Sequence, residues 1–284
     1  MTAAPTPLSV ILPANDEGAY IGPCLDALLA SRDAGGALAT CEVIVVANAC
    51  RDDTAQIARA RVPAAAARGW RLHVIETDQP GKLNALNLGE ASAQPGTRVY
   101  LDADVTVSPP LLAELGLALA VPQPAWASGR PVIAPARSPL TRTYARAWMR
   151  LPFMTDGVPG FGIFAVNAAG RARWSAFPDI ISDDTFVRLH FAPHERIGVA
   201  ASYEWPMVEG LRQLVRVRRR QDAGVREVLE RFPELRANHH AHRPGAGRLD
   251  AMVLRDPAGV GVYALVSLLV RSTRTGARDW ARGR

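Results

Sequence analysis

Between residues 8 and 101 the chain alternates short apolar runs with polar loops and segments of helical period. Leu8-Ser9-Val10-Ile11-Leu12 reads as a buried strand ended by Pro13. A loop, Ala14-Asn15-Asp16-Glu17-Gly18, leads into a helix expected over about 19–32, with Leu25, Leu28 and Leu29 on one face. Further strands are expected at Glu42–Ala47, around Val43-Ile44-Val45-Val46, at Leu72–Ile75 and at Arg98–Leu101. Helices are expected over Asp53–Arg61 and from Gly81 to Gly89. This repetition predicts an α/β fold whose sheet is mostly parallel and covered by helices on both faces. Ligands of such sheets gather at the carboxyl ends of the strands. The polar clusters 13–17, 48–54, 78–82 and 102–104 all fall there.

A chain of 284 residues, 48% hydrophobic and 21% charged, has the composition of a folded protein with one large or two smaller domains. Its net charge is +6, and of its 33 basic residues Lys82 is the one lysine. An arginine preference this general is not a nucleic-acid signature, so no nucleic-acid partner is expected. Cys24, Cys41 and Cys50 are scattered without metal-ligand spacing and fit a reducing compartment. Met1–Pro7 lacks the basic-then-apolar pattern of a signal segment. No uncharged apolar run reaches the roughly 18 residues of a membrane span. A cytoplasmic location is therefore expected.

The chemistry concentrates at Leu101-Asp102-Ala103-Asp104, where a strand should end. An extended backbone would aim both carboxylates to one side, whereas a turn would separate them. Either arrangement offers an oxygen-rich edge suited to Mg²⁺ or Mn²⁺, although a solvated strand-to-loop junction has the same composition. Neither a Gly-x-Gly-x-x-Gly nor a Walker A sequence is present, which disfavours an NAD-type site and a P-loop phosphotransferase. Lys82 lies in Gln79-Pro80-Gly81-Lys82-Leu83-Asn84-Ala85-Leu86-Asn87. Its amine can reach a phosphate, with Asn84 and Asn87 fixing helix and loop; the bland alternative is a surface lysine at a helix start.

Taken together, four short motifs resemble those of a family 2 inverting glycosyltransferase of the GT-A type. Pro13-Ala14-Asn15-Asp16-Glu17 is similar to the family's opening motif at the base and ribose site. Asn48-Ala49-Cys50-Arg51-Asp52-Asp53-Thr54 resembles the second motif and Gly81–Asn87 the third. Asp102-Ala103-Asp104 resembles the metal and diphosphate motif. The resemblance implies a Rossmann-like mixed sheet flanked by helices and a nucleotide-sugar donor. It implies a metal ligand at Asp104, with Asp102 contacting sugar, ribose or metal, and donor contacts from Pro13, Asn15, Glu17, Asn48 and Lys82. The family commonly has aspartate at the position of Asn48. An amide both donates and accepts hydrogen bonds, so its oxygen can still accept a uracil N–H while the departure opens the site to other bases; a UDP-linked donor is favoured and a GDP-linked donor is the alternative.

Further along, Pro131–Arg150 carries Tyr144 and Trp148 four residues apart, a pair that suits acceptor contact and core packing equally. Gly157–Val166 is glycine-punctuated and then strand-like, similar to the family's acceptor side. Ser182-Asp183-Asp184 resembles the family's acidic motif at the start of a helix. In that register Asp184 is the catalytic base and Asp183 the fallback. Ser182 and the two acids also suit a helix N-terminus on structural grounds alone. Direct displacement without a covalent intermediate implies inversion. Residues 1–205 are expected to form the GT-A nucleotide-sugar-binding and catalytic domain, and 206–284 a basic helical extension facing a membrane or partner.

Within that extension, Arg212, Arg216, Arg218, Arg219 and Arg220 form a dense basic run. Processive relatives carry Gln-x-x-Arg-Trp here, and of that motif Arg220 alone is matched. Transfer of a single sugar is therefore expected, with Arg220 near the diphosphate; a solvated helix face is the alternative. Asn238-His239-His240-Ala241-His242 has the composition of a metal site or of a surface loop. Ala258–Val270 lacks charge over 13 residues and precedes Arg271, Arg274, Arg278, Arg282 and Arg284. It suits a buried helix or one at an anionic membrane surface, which would place a glycan or lipid acceptor at the inner face of the membrane. The rival functions are a nucleotidyltransferase and a catalytically inactive nucleotide-sugar- or glycan-binding protein.

Overall fold

A computed structural model describes residues 6–239 and 246–272. The chain begins β1 (Leu8–Ala14), α1 (Ile21–Leu29), β2 (Cys41–Asn48), α2 (Thr54–Arg59), α3 (Val62–Ala67), β3 (Arg71–Thr77) and α4 (Lys82–Ser92). It continues through β4 (Thr97–Leu101), β5 (Thr106–Val107), α5 (Leu111–Ala118), β6 (Trp126–Ile133), α6 (Pro139–Trp148), α7 (Pro152–Thr155), β7 (Ile163–Val166) and α8 (Ala168–Arg171). Then come α9 (Asp183–Leu189), β8 (Arg196–Trp205), α10 (Leu211–Arg231), α11 (Ala246–Arg255) and α12 (Pro257–Ser272). These elements group into two compact units: Met1–Val132 with Gly160–Asp179 and His190–Trp205, and Ile133–Pro159 with Ile180–Leu189 and Pro206–Arg284.

The first unit is built on an eight-stranded sheet of order β3-β2-β1-β4-β7-β6-β8-β5. The four strands read from the sequence pair in parallel as expected. Beyond them β7 runs antiparallel to β4 and β6, and β8 antiparallel to β5, so the sheet is mixed. All eight residues of β2 are buried, as a central parallel strand between two helical layers requires. Leu8, Val10 and Leu12 share a core with Ile21, Leu25 and Leu28 of α1 and with Leu111 and Leu115 of α5. Ile11 points the other way, toward α4, because successive strand residues face opposite sides. There Gly89 is obligatory: a Cβ at that position would stand 2.5 Å from Ile11 Cγ2.

Helix ends differ from the sequence reading for local reasons. Residues 17–20 form a turn in which the Glu17 carbonyl accepts from the amides of Tyr20 and Ile21, so α1 starts at Ile21. After α2 the chain turns and restarts as α3, with Pro63 in its first turn. Proline has no N–H and its ring would clash with the carbonyl four residues earlier, which disfavours one continuous helix.

The second unit is helical. Ser138 caps α6 through its hydroxyl, and α6 and α10 both pack against α12. Tyr144 and Trp148 are buried in this unit, with Tyr144 stacked on Tyr263 of α12 at 5.7 Å between ring centroids. Arg218 donates to the Tyr263 hydroxyl and to Asp222, and Arg219 donates to the Leu269 carbonyl. Two arginines of the basic run thus tie helices together, while Arg212 and Arg216 remain exposed. Among the described residues no helix is long and apolar enough to cross a membrane.

Candidate active site

The parallel register brings Ala14, Ala47 and Glu76 level, so the loops after β1, β2 and β3 leave the sheet together. Asn15 and Asn48 lock the first two. Asn15 donates to the carbonyls of Asn48 and Ala49 at 2.7 and 3.2 Å, and Asn48 donates to the Ala14 carbonyl at 2.9 Å. The Asn48 amide oxygen accepts from Gly81 N–H at 3.2 Å, which adds the start of α4 to the same joint. Asn48 is buried and uses both ends of its amide. Pro13, half-buried, lies opposite Val46 in the same ladder.

Outside this joint a second layer of contacts joins the same loops. Asp16, at φ 51°, accepts from Arg51 N–H; Thr54 Oγ1 accepts from Glu17 N–H; Asp52 accepts from Gly18 and Thr54 N–H. Burial opposes ionisation of Asp52, but bonds from the Thr54 side chain and the two amides outweigh it and lower its pKa. Asp16, Cys50 and Asp52 form the one grouping of three potential metal donors among the described residues, within 4.8 Å of one another. Its two carboxylates already serve as acceptors for the facing loop. The sequence reading named these residues within motifs without pairing them; the signal was available, since loops after adjacent parallel strands must meet.

At the next strand over, β4 ends at Leu101, and Asp102–Val105 form a turn closed by Val105 N–H to the Asp102 carbonyl. The turn is the second of the two arrangements open from sequence. Asp102 N–H is held by the Gly162 carbonyl at 2.8 Å. Gly162 lies at φ 75°, and a Cβ there would stand 2.8 Å from Trp205 Cδ1, so the glycine permits this approach. Lys82, in the first turn of α4, places Nζ 2.8 Å from Asp102 Oδ1. Cys24 of α1 lies buried beneath, its thiol directed at the Asp102 carbonyl. Burial pushes that thiol up, and the charges of Asp104, Asp102 and Glu17 push it further. One buried point therefore senses all three carboxylates. The first unit thus brings together Pro13, Asn15, Glu17, Asn48, Lys82, Asp102 and Asp104 at one end of its sheet.

A family model for glycosyl transferase family 2 matches residues 9–171, which spans all of these loops. The chain belongs to glycosyl transferase family 2. Its fold is also found in solved structures. The mannosyltransferase PcManGT from Pyrobaculum calidifontis, solved in complex with GDP-Man and Mn²⁺, is 19% identical over 97% of this chain and 80% of its own, with a TM-score of 0.58. S. aureus TarS 1-349 in complex with UDP-GlcNAc is 16% identical over 93% and 81% of the two chains, with a TM-score of 0.53. Among curated proteins no sequence matches. The expected GT-A architecture, a mixed Rossmann-like sheet flanked by helices, is the fold of this family 2 chain.

The remaining expected residues lie in the second unit. Asp183 is buried at the start of α9 and Asp184 is half-buried. Asp184 Oδ1 accepts from Ser182 Oγ at 2.6 Å and from Thr185 N–H at 2.7 Å. Burial lowers the pKa of Arg188, one turn further, and the charge of Asp184 partly restores it. Glu227 of α10 accepts from Ile181 N–H, and Gly224 lets α10 approach the side chains of Ile181 and Ser182. Sequence reasoning missed both supports, since nothing local marks a glycine or glutamate 40 residues away as a neighbour. Arg220 sits half-buried on α10. Asn238 donates to the Leu189 carbonyl and His239 is half-buried. His240 and His242 lie outside the described residues.

Proposed function

We propose that this family 2 chain is an inverting glycosyltransferase that moves a single sugar from a nucleotide-sugar to a hydroxyl of a glycan or lipid acceptor. The observation that carries this reading is the gathering of Lys82, Asp102, Asp104 and Glu17 where β1 and β4 leave the sheet. Their charges make an acidic edge with one primary amine beside it. Carboxylate donors of this kind fit Mn²⁺ or Mg²⁺, and PcManGT was solved with Mn²⁺. Asp104 is the firmer ligand and Asp102 the second; the bound cation would supply positive charge for the departing diphosphate.

The chain's own residues do the rest. Lys82 exchanges its pairing with Asp102 for the donor diphosphate, and Arg220 adds a second cation there. Asn15 and Asn48 set the shape of the base and ribose end, with Pro13 and Glu17 along its wall. A UDP-linked donor is favoured and a GDP-linked donor is the alternative. Asp184 takes the proton from the acceptor hydroxyl as its oxygen bonds to the anomeric carbon and the carbon–phosphate oxygen bond breaks. The donated bonds from Ser182 and Thr185 keep Asp184 oriented; Asp183 is the fallback base. Catalysis is assigned to residues 1–205, with 206–284 as the helical extension.

The test is anomeric configuration by NMR, with a panel of UDP- and GDP-sugars and glycan and lipid acceptors. Inverted product from the wild type, lost at least about 10³-fold in Asp184→Asn with donor binding intact, is the expected result. Retained configuration, or full activity in that variant with Asp183 also replaced, contradicts the reading.

A further inference from the structure

α12 breaks the rule that its neighbour α10 obeys. The exposed positions of α10 include Arg212, Arg216, Gln221, Asp222, Arg226 and Glu230, the polar outer face that water demands. The exposed positions of α12 before Arg271 are Pro257, Ala258, Gly261, Ala264, Leu265 and Leu268. They recur at helical spacing and form one stripe. The opposite face is already committed: Gly259 and Val266 are buried, and Tyr263 stacks on Tyr144 of α6. A helix apolar all round belongs in an interior, yet this one leaves a side open. The last turn of α11 also exposes apolar side chains, with Val253 at 42% and Leu254 at 84% exposure, as Leu265 at 43% and Leu268 at 63% do in α12.

Charge identifies the occupant. Arg255 and Arg271, both exposed, flank the stripe at its two ends. The one acid among residues 251–272 is Asp256, which is buried and bonded by Arg146 and Arg150. Residues 271–284 carry Arg271, Arg274, Arg278, Arg282 and Arg284 against Asp279, together with Trp280. A protein partner would have to bury these guanidinium groups or leave them at a rim. A lipid surface takes the leucines into the headgroup–acyl boundary and keeps each arginine beside a phosphate. At 16 residues α12 is shorter than the roughly 20 needed to span, so it would lie along the surface. We propose that the outer face of α11 and α12 docks this chain on an anionic membrane surface, with Leu254, Leu265 and Leu268 entering the lipid and Arg255 and Arg271 pairing with lipid phosphates.

Flotation of the full chain tests this, using vesicles of phosphatidylcholine alone and vesicles with about one-third phosphatidylglycerol. The wild type should float with the anionic vesicles and at least about tenfold less with the zwitterionic ones. Leu265→Gln/Leu268→Gln and Arg255→Gln/Arg271→Gln should each lower flotation at least about tenfold at unchanged melting temperature. Leu254→Ser, at the most exposed position, serves where the double leucine variant is unstable. Absence of wild-type flotation overturns the proposal, as does flotation of the leucine variants at the wild-type level. A dimer by light scattering that the leucine substitutions convert to monomer also overturns it, because the face would then belong to a second copy.

Discussion

Lys82 Nζ stands 2.8 Å from Asp102 Oδ1, so the chain's one lysine links the first turn of α4 to the turn that follows β4. Both side chains keep about a third of their surface in water, at 27% and 33% exposure. Such a pair contributes at most about 1 kcal/mol to stability. Lys82→Met should therefore leave the urea midpoint nearly unchanged and lower sugar transfer about 10²-fold, the loss typical of removing a group that stabilises developing negative charge. A variant that unfolds readily but transfers sugar normally would assign the pair to structure.

Asn48 invites the opposite experiment, installing the aspartate commonly found in the family. Here Asn48 donates to the Ala14 carbonyl from a buried position, and a carboxylate has no hydrogen to donate. Asn48→Asp should cost about 1–3 kcal/mol at neutral pH by leaving that carbonyl facing a charged oxygen. The penalty should shrink as the pH falls, because the introduced carboxyl then carries a proton to donate. Urea titrations at pH 7 and pH 5 check both signs.

Gly224 in the middle of α10 would ordinarily gain about 1 kcal/mol on conversion to alanine. At this position the added Cβ would stand 2.8 Å from Ser182 Cβ, which has no flexible end to swing away. Gly224→Ala should thus lower stability by about 1–3 kcal/mol. It should also disturb Ser182, whose hydroxyl donates to Asp184, so turnover should fall more than donor affinity. A raised melting temperature with unchanged turnover would contradict this packing.

Arg173 makes two bonds to Glu195, at 2.8 and 2.6 Å, and with help from the Ala192 amide holds that carboxyl against partial burial at about 2 instead of 4.5. Because the folded value is depressed, the stabilisation is complete above about pH 4.5 and is lost as pH falls toward 2. It amounts to roughly 2–3 kcal/mol. Urea midpoints between pH 6 and pH 3 should fall more steeply for the wild type than for Glu195→Gln.

The parallel half of the sheet was legible because β1, β2 and β4 each hold a short apolar run, Val10–Leu12, Val43–Ala47 and Val99–Leu101, and their loops are polar. β5, of two residues, and β8, with its exposed positions interspersed, carry no such signal, so the antiparallel half stayed hidden. The loop residues of the candidate site were nameable from motif order. Their partners were not: the hydrogen bonds from Asn48 to Ala14 and from Gly81 to Asn48 depend on strand register, which sequence spacing does not encode. Helix packing was hidden for the same reason. Tyr144 became a core residue only once α12 supplied Tyr263.

Calorimetric titration of UDP and GDP, with and without Mn²⁺, into the wild type and Asp104→Asn is the most direct test of a cation-dependent nucleotide-sugar site. We expect one nucleotide to bind with Mn²⁺ and to lose at least about tenfold in affinity without it or in the variant. A folded wild type that binds neither nucleotide in the presence of Mn²⁺, or that binds equally well without the cation and in Asp104→Asn, would contradict the assignment.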